Sequence, residues 1–362
     1  MSAILIGVLR DPTAARGLAP GDWDLLLRQA ASADMLATLA HWLSEAGLLE
    51  QIPAAPRAHL DWACAAGASH ARGARHEVER IGAALHGLDP PLPLILLKGA
   101  AYALAGLDAG RGRLFSDIDI LVPKERLHEV EAALMLHGWA GGHHDAYDQR
   151  YYREWMHELP PMTHLRRGNT IDVHHAILLE TARPDPAKLR AAALPVPGHP
   201  GLCMLAPHDM VLHSAVHLFS NGEFEHGLRD LFDLQRLLGA APGFWDGLAP
   251  RAAELELTRP LFYALRYLER VLGSALPPAV LAAADAGRPN PALLQLMDGL
   301  FLRALAPPMS VSGMGSAALF ALYVRGNWLR MPPLMLLRHL SHKAFLPPKA
   351  PSTTGAAPPD PV

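Results

Sequence analysis

RLFSDIDILVP, residues 113–123, decides the reading of the fold. Ser116 to Val122 is a short apolar run interrupted by two carboxylates, and Pro123 halts it. Side chains at i and i+2 of a strand point to one face. A strand here places Asp117 and Asp119 together and sends Ile118, Ile120 and Val122 into a core. Two adjacent carboxylates repel each other, and a divalent cation relieves that repulsion. Asp-x-Asp alone is a weak signal, because many strands carry two acids on a solvent face. Its setting strengthens it: the strand is otherwise strongly apolar, and the loop before it contains Gly110 and Gly112.

Outward from this strand the pattern is mixed α/β. Upstream, residues 94–97 (LILL) are a buried-strand run ended by Lys98-Gly99, followed by a helix over 100–107. Downstream, Leu127, Val130, Ala133 and Leu134 share a helical face within 124–137, which Gly138-Trp139 closes. A His-, Tyr- and Arg-rich segment covers 143–167 and suits a substrate lid or partly buried packing. Residues 170–174 (TIDVH) then form a third strand. Asp172 flanked by Ile171 and Val173 supplies a third acid, and His174 shares its face. Three acids at a sheet edge can hold two metals, one on the attacking oxygen and one on the leaving pyrophosphate. Oxygen ligands with room for water and phosphate favour magnesium.

The flanks are helical. Residues 22–88 carry helical periodicity, with Asp22 as a cap and a later pair of helices at 56–70 and 74–87. From Pro207 the chain is helical again, over 207–220, 224–239, 246–273 and onward to about 345. The expected organisation is an N-terminal helical region (1–90), an α/β core with a small mixed sheet (91–200), a C-terminal helical domain (201–346) and a disordered Pro- and Ala-rich tail (347–362).

Composition bounds the rest. The 362 residues are 50% hydrophobic and 19% charged, with a net charge of −3. That fits a globular chain and disfavours binding of long nucleic acid. Two cysteines, Cys64 and Cys203, make neither a disulfide framework nor a CxxC site, so a cytoplasmic location is expected. No signal-peptide pattern and no run of about 18 apolar residues is found. The basic amphipathic stretch at 333–346 suits peripheral contact with a membrane or partner. His213 and His217 have the i,i+4 spacing that can bind zinc, but without an HExxH motif helix packing is the favoured reading. Arg229 and Asp233, also i,i+4, suit an intrahelical ion pair or a face towards the cleft.

The order of these pieces resembles the polymerase-beta-like nucleotidyltransferase superfamily, and more narrowly the bacterial family of uncharacterised nucleotidyltransferases. The resemblance rests on LILLKGAAYAL (94–104), RLFSDIDILVP (113–123), TIDVHHAI (170–177), and the helical pair LAPHDMVLHSAVHL (205–218) and GLRDLFDLQRLL (227–238). It implies that Asp117, Asp119 and Asp172 hold magnesium, as two ions with manganese as a substitute, and that Asp172 is the third acid or general base. It implies nucleotide contacts at Lys98, Gly99, Arg113 and Ser116. His174, Arg229 and Asp233 would support the substrate or the acids. The implied reaction moves an NMP group from an NTP to an unidentified acceptor and releases pyrophosphate. A catalytically degenerate nucleotide-binding module on the same fold is the alternative. The chain departs from the superfamily at Ala100, where many members carry a phosphate-contacting serine.

Overall fold

The computed structural model describes residues 3–142, 158–177, 185–239, 243–307 and 313–330. The N-terminal helices are α1 (Ile4–Arg10), α2 (Pro20–Ser32), α3 (Leu36–Glu45) and α4 (Ala54–Leu85). Sequence periodicity predicts two helices across the last of these, but it is continuous through Gly67 and Gly73. Its buried residues Leu60, Ala63, Gly67, Ala74, Val78 and Ile81 keep one stripe against the core. A Cβ at Gly67 would lie 3.3 Å from the Ala37 Cβ, so glycine lets α3 approach closely. Tertiary packing thus outweighs the low helix propensity of glycine.

A mixed sheet follows. Its strands are β1 (Leu94–Leu96), β2 (Asp117–Leu121), β3 (Trp139–Gly141), β4 (Met162–His164), β5 (Thr170–His174), β6 (Leu194–Pro195) and β7 (Leu202–Met204). They lie in the order β3-β4-β5-β2-β1-β7-β6. The two acid-bearing strands β2 and β5 are adjacent and parallel, while β1 runs antiparallel to β2. All three expected strands are therefore present and central. The chain at Gly138-Trp139 opens β3 rather than merely closing a helix. Between the strands lie α5 (Lys98–Leu104), α6 (Leu127–Leu136) and α7 (Pro186–Ala191).

The remaining described helices are α8 (Pro207–Ser220), α9 (Gly227–Leu237), α10 (Phe244–Glu254), α11 (Thr258–Leu272), α12 (Pro278–Ala284), α13 (Pro291–Ala304) and α14 (Gly313–Arg330). The single helix expected over 246–273 is two, because the chain turns at Glu256 with φ +56°. Buried Leu255 and Leu257 flank this turn and anchor it. Phe219, Tyr263, Tyr267 and Phe301 form an aromatic cluster that ties α8, α11 and α13 together. One continuous buried core runs from Leu5 to Leu322 and joins the terminal helices to the sheet. No described helix is long and apolar enough to cross a membrane. The aromatic segment over 143–157, the basic stretch at 333–346 and the tail at 347–362 lie outside the described residues.

Candidate active site

The parallel register pairs Asp117 with Thr170, Asp119 with Asp172, and Leu121 with His174. Alternation places Asp117, Asp119, Asp172 and His174 on one face of two neighbouring strands. Ile118, Ile120, Ile171 and Val173 are buried on the other. The same alternation that makes the core therefore brings the acids together.

Asp119 is buried and lies at the centre of a charged network. It accepts a hydrogen bond from His174 Nε2 at 2.9 Å, and Lys98 Nζ stands 3.5 Å from the same oxygen. The other ring nitrogen of His174 lies 3.2 Å from a Glu158 carboxylate oxygen. His174 thus bridges Glu158 and Asp119. His174 lies two residues beyond Asp172 on β5, opposite Leu121, where Asp119 is its diagonal neighbour across the strands. Burial raises the Asp119 carboxyl, but Lys98 and His174 more than reverse this and hold it well below the usual carboxylate range. Burial also works against charge on His174, yet Glu158 and Asp119 favour its protonated form.

The other two acids behave oppositely. Burial, followed by repulsion from Asp119, Glu158 and Asp117, pushes Asp172 up to about 7. Burial and then Asp119 raise Asp117 as well. Asp172 Oδ1 is buried without a hydrogen-bond partner among the described residues. A buried acceptor in that state costs free energy unless something pairs with it. Among the described residues no three His, Cys, Asp or Glu side chains converge as a ready-made metal cage. The donor set still fits magnesium, which is bound through one or two carboxylates plus water and substrate phosphates.

The nucleotide-contact candidates divide. Lys98 opens α5, just after β1, with φ +43°, a conformation uncommon outside glycine, and its ammonium reaches the acids. Gly99 is buried inside α5. A Cβ there would meet Arg113 Nε at 2.9 Å and Phe115 Cδ1 at 3.3 Å, so glycine makes room for the Arg113 arm. Arg113 itself is buried against α9, with Nη1 2.8 Å from Asp233 and 3.8 Å from Asp230. Ser116 is exposed beside Asp117, and Ala100 is packed in the core.

Of the two readings of Arg229 and Asp233, the intrahelical pair does not form and Arg229 lines the cleft beside α9. Asp233 faces Arg113, while Arg229 lies 3.2 Å from Asp230 and 3.6 Å from Asp34. Even with Arg113 beside it, burial pushes Asp233 up to about 6. His213 is packed within α8, and His217 Nδ1 stands 3.7 Å from Asp230. Burial, then Lys98, keeps both imidazoles below their ordinary pKa. Tyr102 and Ser214 share a 2.6 Å hydrogen bond that joins α5 to α8. The sequence does not single out Glu158, and it favours helix packing over a ligand role for His217. Glu158 reaches Asp119 through His174, and His217 lies against Asp230.

The model of the uncharacterised nucleotidyltransferase family matches residues 19–273. The chain belongs to that family. This nucleotidyltransferase is accordingly an enzyme that transfers nucleotidyl groups. The matched span takes in α4, the whole sheet and helices α8 to α11, so every residue of the acid face falls within it. No curated protein and no solved structure shows a significant match to the chain.

Proposed function

We propose that the acid face is the catalytic centre of a magnesium-dependent reaction that moves an NMP group from an NTP to an acceptor and releases pyrophosphate. The observation that carries this reading is the pairing of Asp119 with Asp172 across two parallel strands, with Asp117 beside them. Asp117 and Asp119 are the metal-holding pair, and Asp172 is the third acid. Bound magnesium would neutralise phosphate charge and make the attacking oxygen a better nucleophile. Lys98 adds a fixed positive charge on the same face. His174, held by Glu158, keeps the Asp119 carboxylate ionised and oriented. Asp172 is placed to take the proton of the incoming acceptor.

A cleft of about 950 Å³ lined by Asp34, His217, Phe224, Arg229, Asp230 and Phe320 supports an acceptor path between the core and the C-terminal helices. Its volume suits a small molecule or a peptide side chain. His217 and Asp230 also line the small pocket that contains Lys98, so the cleft leads towards the acids.

Label transfer tests the reaction. Protein and magnesium are incubated with a cell extract that supplies acceptors and with an NTP labelled at the α-phosphate or, in parallel, at the γ-phosphate. The reading expects α-label to appear on an acceptor together with free pyrophosphate. Transfer of γ-label instead would identify phosphoryl transfer and contradict it.

A further inference from the structure

A second cavity opens beside the N-terminal ends of β2 and β5, where the acid face begins at Asp117. This groove of about 300 Å³ is walled by Ser69, His70 and Gly73 of α4, floored by Phe115 and Ile118, and reaches Asp117. We propose that it seats the nucleoside part of the donor NTP, with the phosphates on Asp117 and its neighbours; this rests on the catalytic reading given above.

Three observations place the donor here rather than in the larger cleft. First, the groove is continuous with an acid of the catalytic face, since Asp117 is one of its lining residues. Second, the charges differ. The cleft presents Asp34, Glu223, Glu225 and Asp230 against Arg229 alone, a setting that repels a triphosphate. In the groove, Glu77 is buried and already matched by two hydrogen bonds from Arg167 and one from Asn169. Third, the surfaces suit a nucleoside. Phe115 and His70 offer flat faces for a base, and Ser69, Ser116 and Thr170 offer hydroxyls for polar edges. The groove volume lies at the low end of small-molecule sites, which matches a nucleoside whose phosphates lie outside it.

Gly73 gives the proposal a clean test. It is exposed, and a Cβ built there meets nothing within 4 Å. Leucine at this position therefore fills groove space and improves the helix propensity of α4. Wild type, Gly73→Ala and Gly73→Leu are titrated with each of the four NTPs and with inorganic tripolyphosphate, all with magnesium, and their thermal midpoints are compared. The proposal expects Gly73→Leu to keep or raise the midpoint, to bind tripolyphosphate as wild type does, and to lose at least tenfold in NTP affinity. Gly73→Ala should lose less. NTP affinity unchanged in Gly73→Leu while wild type binds NTP would overturn the groove assignment and leave the catalytic reading standing. Failure of wild type to bind any NTP would overturn both.

Discussion

Asp119 and Asp172 face each other in register on neighbouring parallel strands, yet their protons are held in opposite ways. Asp119 has Lys98 and His174 as partners and stays ionised. Among the described residues Asp172 Oδ1 has no hydrogen-bond partner, and burial and its acidic neighbours push the carboxyl up to about 7. One face thus contains an anchored carboxylate and a carboxyl that a cation would stabilise in its charged form.

That contrast predicts an unusual stability–activity relationship for Asp172→Asn. The substitution removes repulsion without breaking a hydrogen bond to Oδ1. Its thermal midpoint in magnesium-free buffer at neutral pH should equal or exceed that of wild type, while kcat falls by about 10²–10⁴-fold. A variant that is both strongly destabilised and active would contradict this.

Glu77 anchors α4 to the turn between β4 and β5. Its buried carboxylate accepts two bonds from Arg167, at 2.8 and 2.9 Å, and one from Asn169 at 2.9 Å. The Arg167 guanidinium also sits 4.9 Å from the Trp139 ring centroid. Glu77→Ala removes these bonds but leaves a partly exposed guanidinium that water can reach, and should cost about 1.5–3 kcal/mol of unfolding free energy, read from urea denaturation.

Gly112 controls the loop that leads into β2. Its φ is +71°, and a Cβ there would lie 2.5 Å from the Ala37 carbonyl carbon and 2.6 Å from the Thr38 nitrogen. Both a left-handed backbone and a close approach to α3 require glycine. Gly112→Ala should therefore destabilise by more than the roughly 1–2 kcal/mol of the backbone conformation alone. Thermal unfolding checks this.

His213 predicts a pH dependence. Burial, then the charge of Lys98, keeps its folded pKa well below the unfolded 6.5. The unfolded chain therefore binds the extra proton first as pH falls. The stabilising contribution is complete above about 6.5 and is lost on acidification, by up to about 1.4 kcal/mol per pH unit. His213→Gln removes this slope, so the stability gap between wild type and variant should narrow between pH 7 and 5. A gap that stays constant with pH would show that His213 does not titrate in this way.

The central strands were legible because apolar runs and i,i+2 acids are local signals. β1, β2 and β5 each carry one. β3, β6 and β7 are two or three residues long, too short to display an alternation. The sequence predicts helices over 56–70 and 74–87, with Gly73 in the gap, whereas α4 runs unbroken across it and packs against α3. The break at Glu256 has no glycine, and Pro260 in the first turn of α11 is the one local signal that marks it. In the site, strand alternation predicted a shared face for Asp117, Asp119 and Asp172. The pairings of His174 with Glu158 and of Arg113 with Asp233 depend on how distant elements pack, and no spacing in the sequence encodes them.

The most direct test of the central claim is a binding titration of the purified protein against ATP, CTP, GTP and UTP, with and without magnesium, beside the Asp117→Asn/Asp119→Asn variant. The account predicts that wild type binds at least one NTP only when magnesium is present, and that the variant, still folded by circular dichroism, does not. Equal binding without magnesium, or full magnesium-dependent binding by the variant, would contradict it.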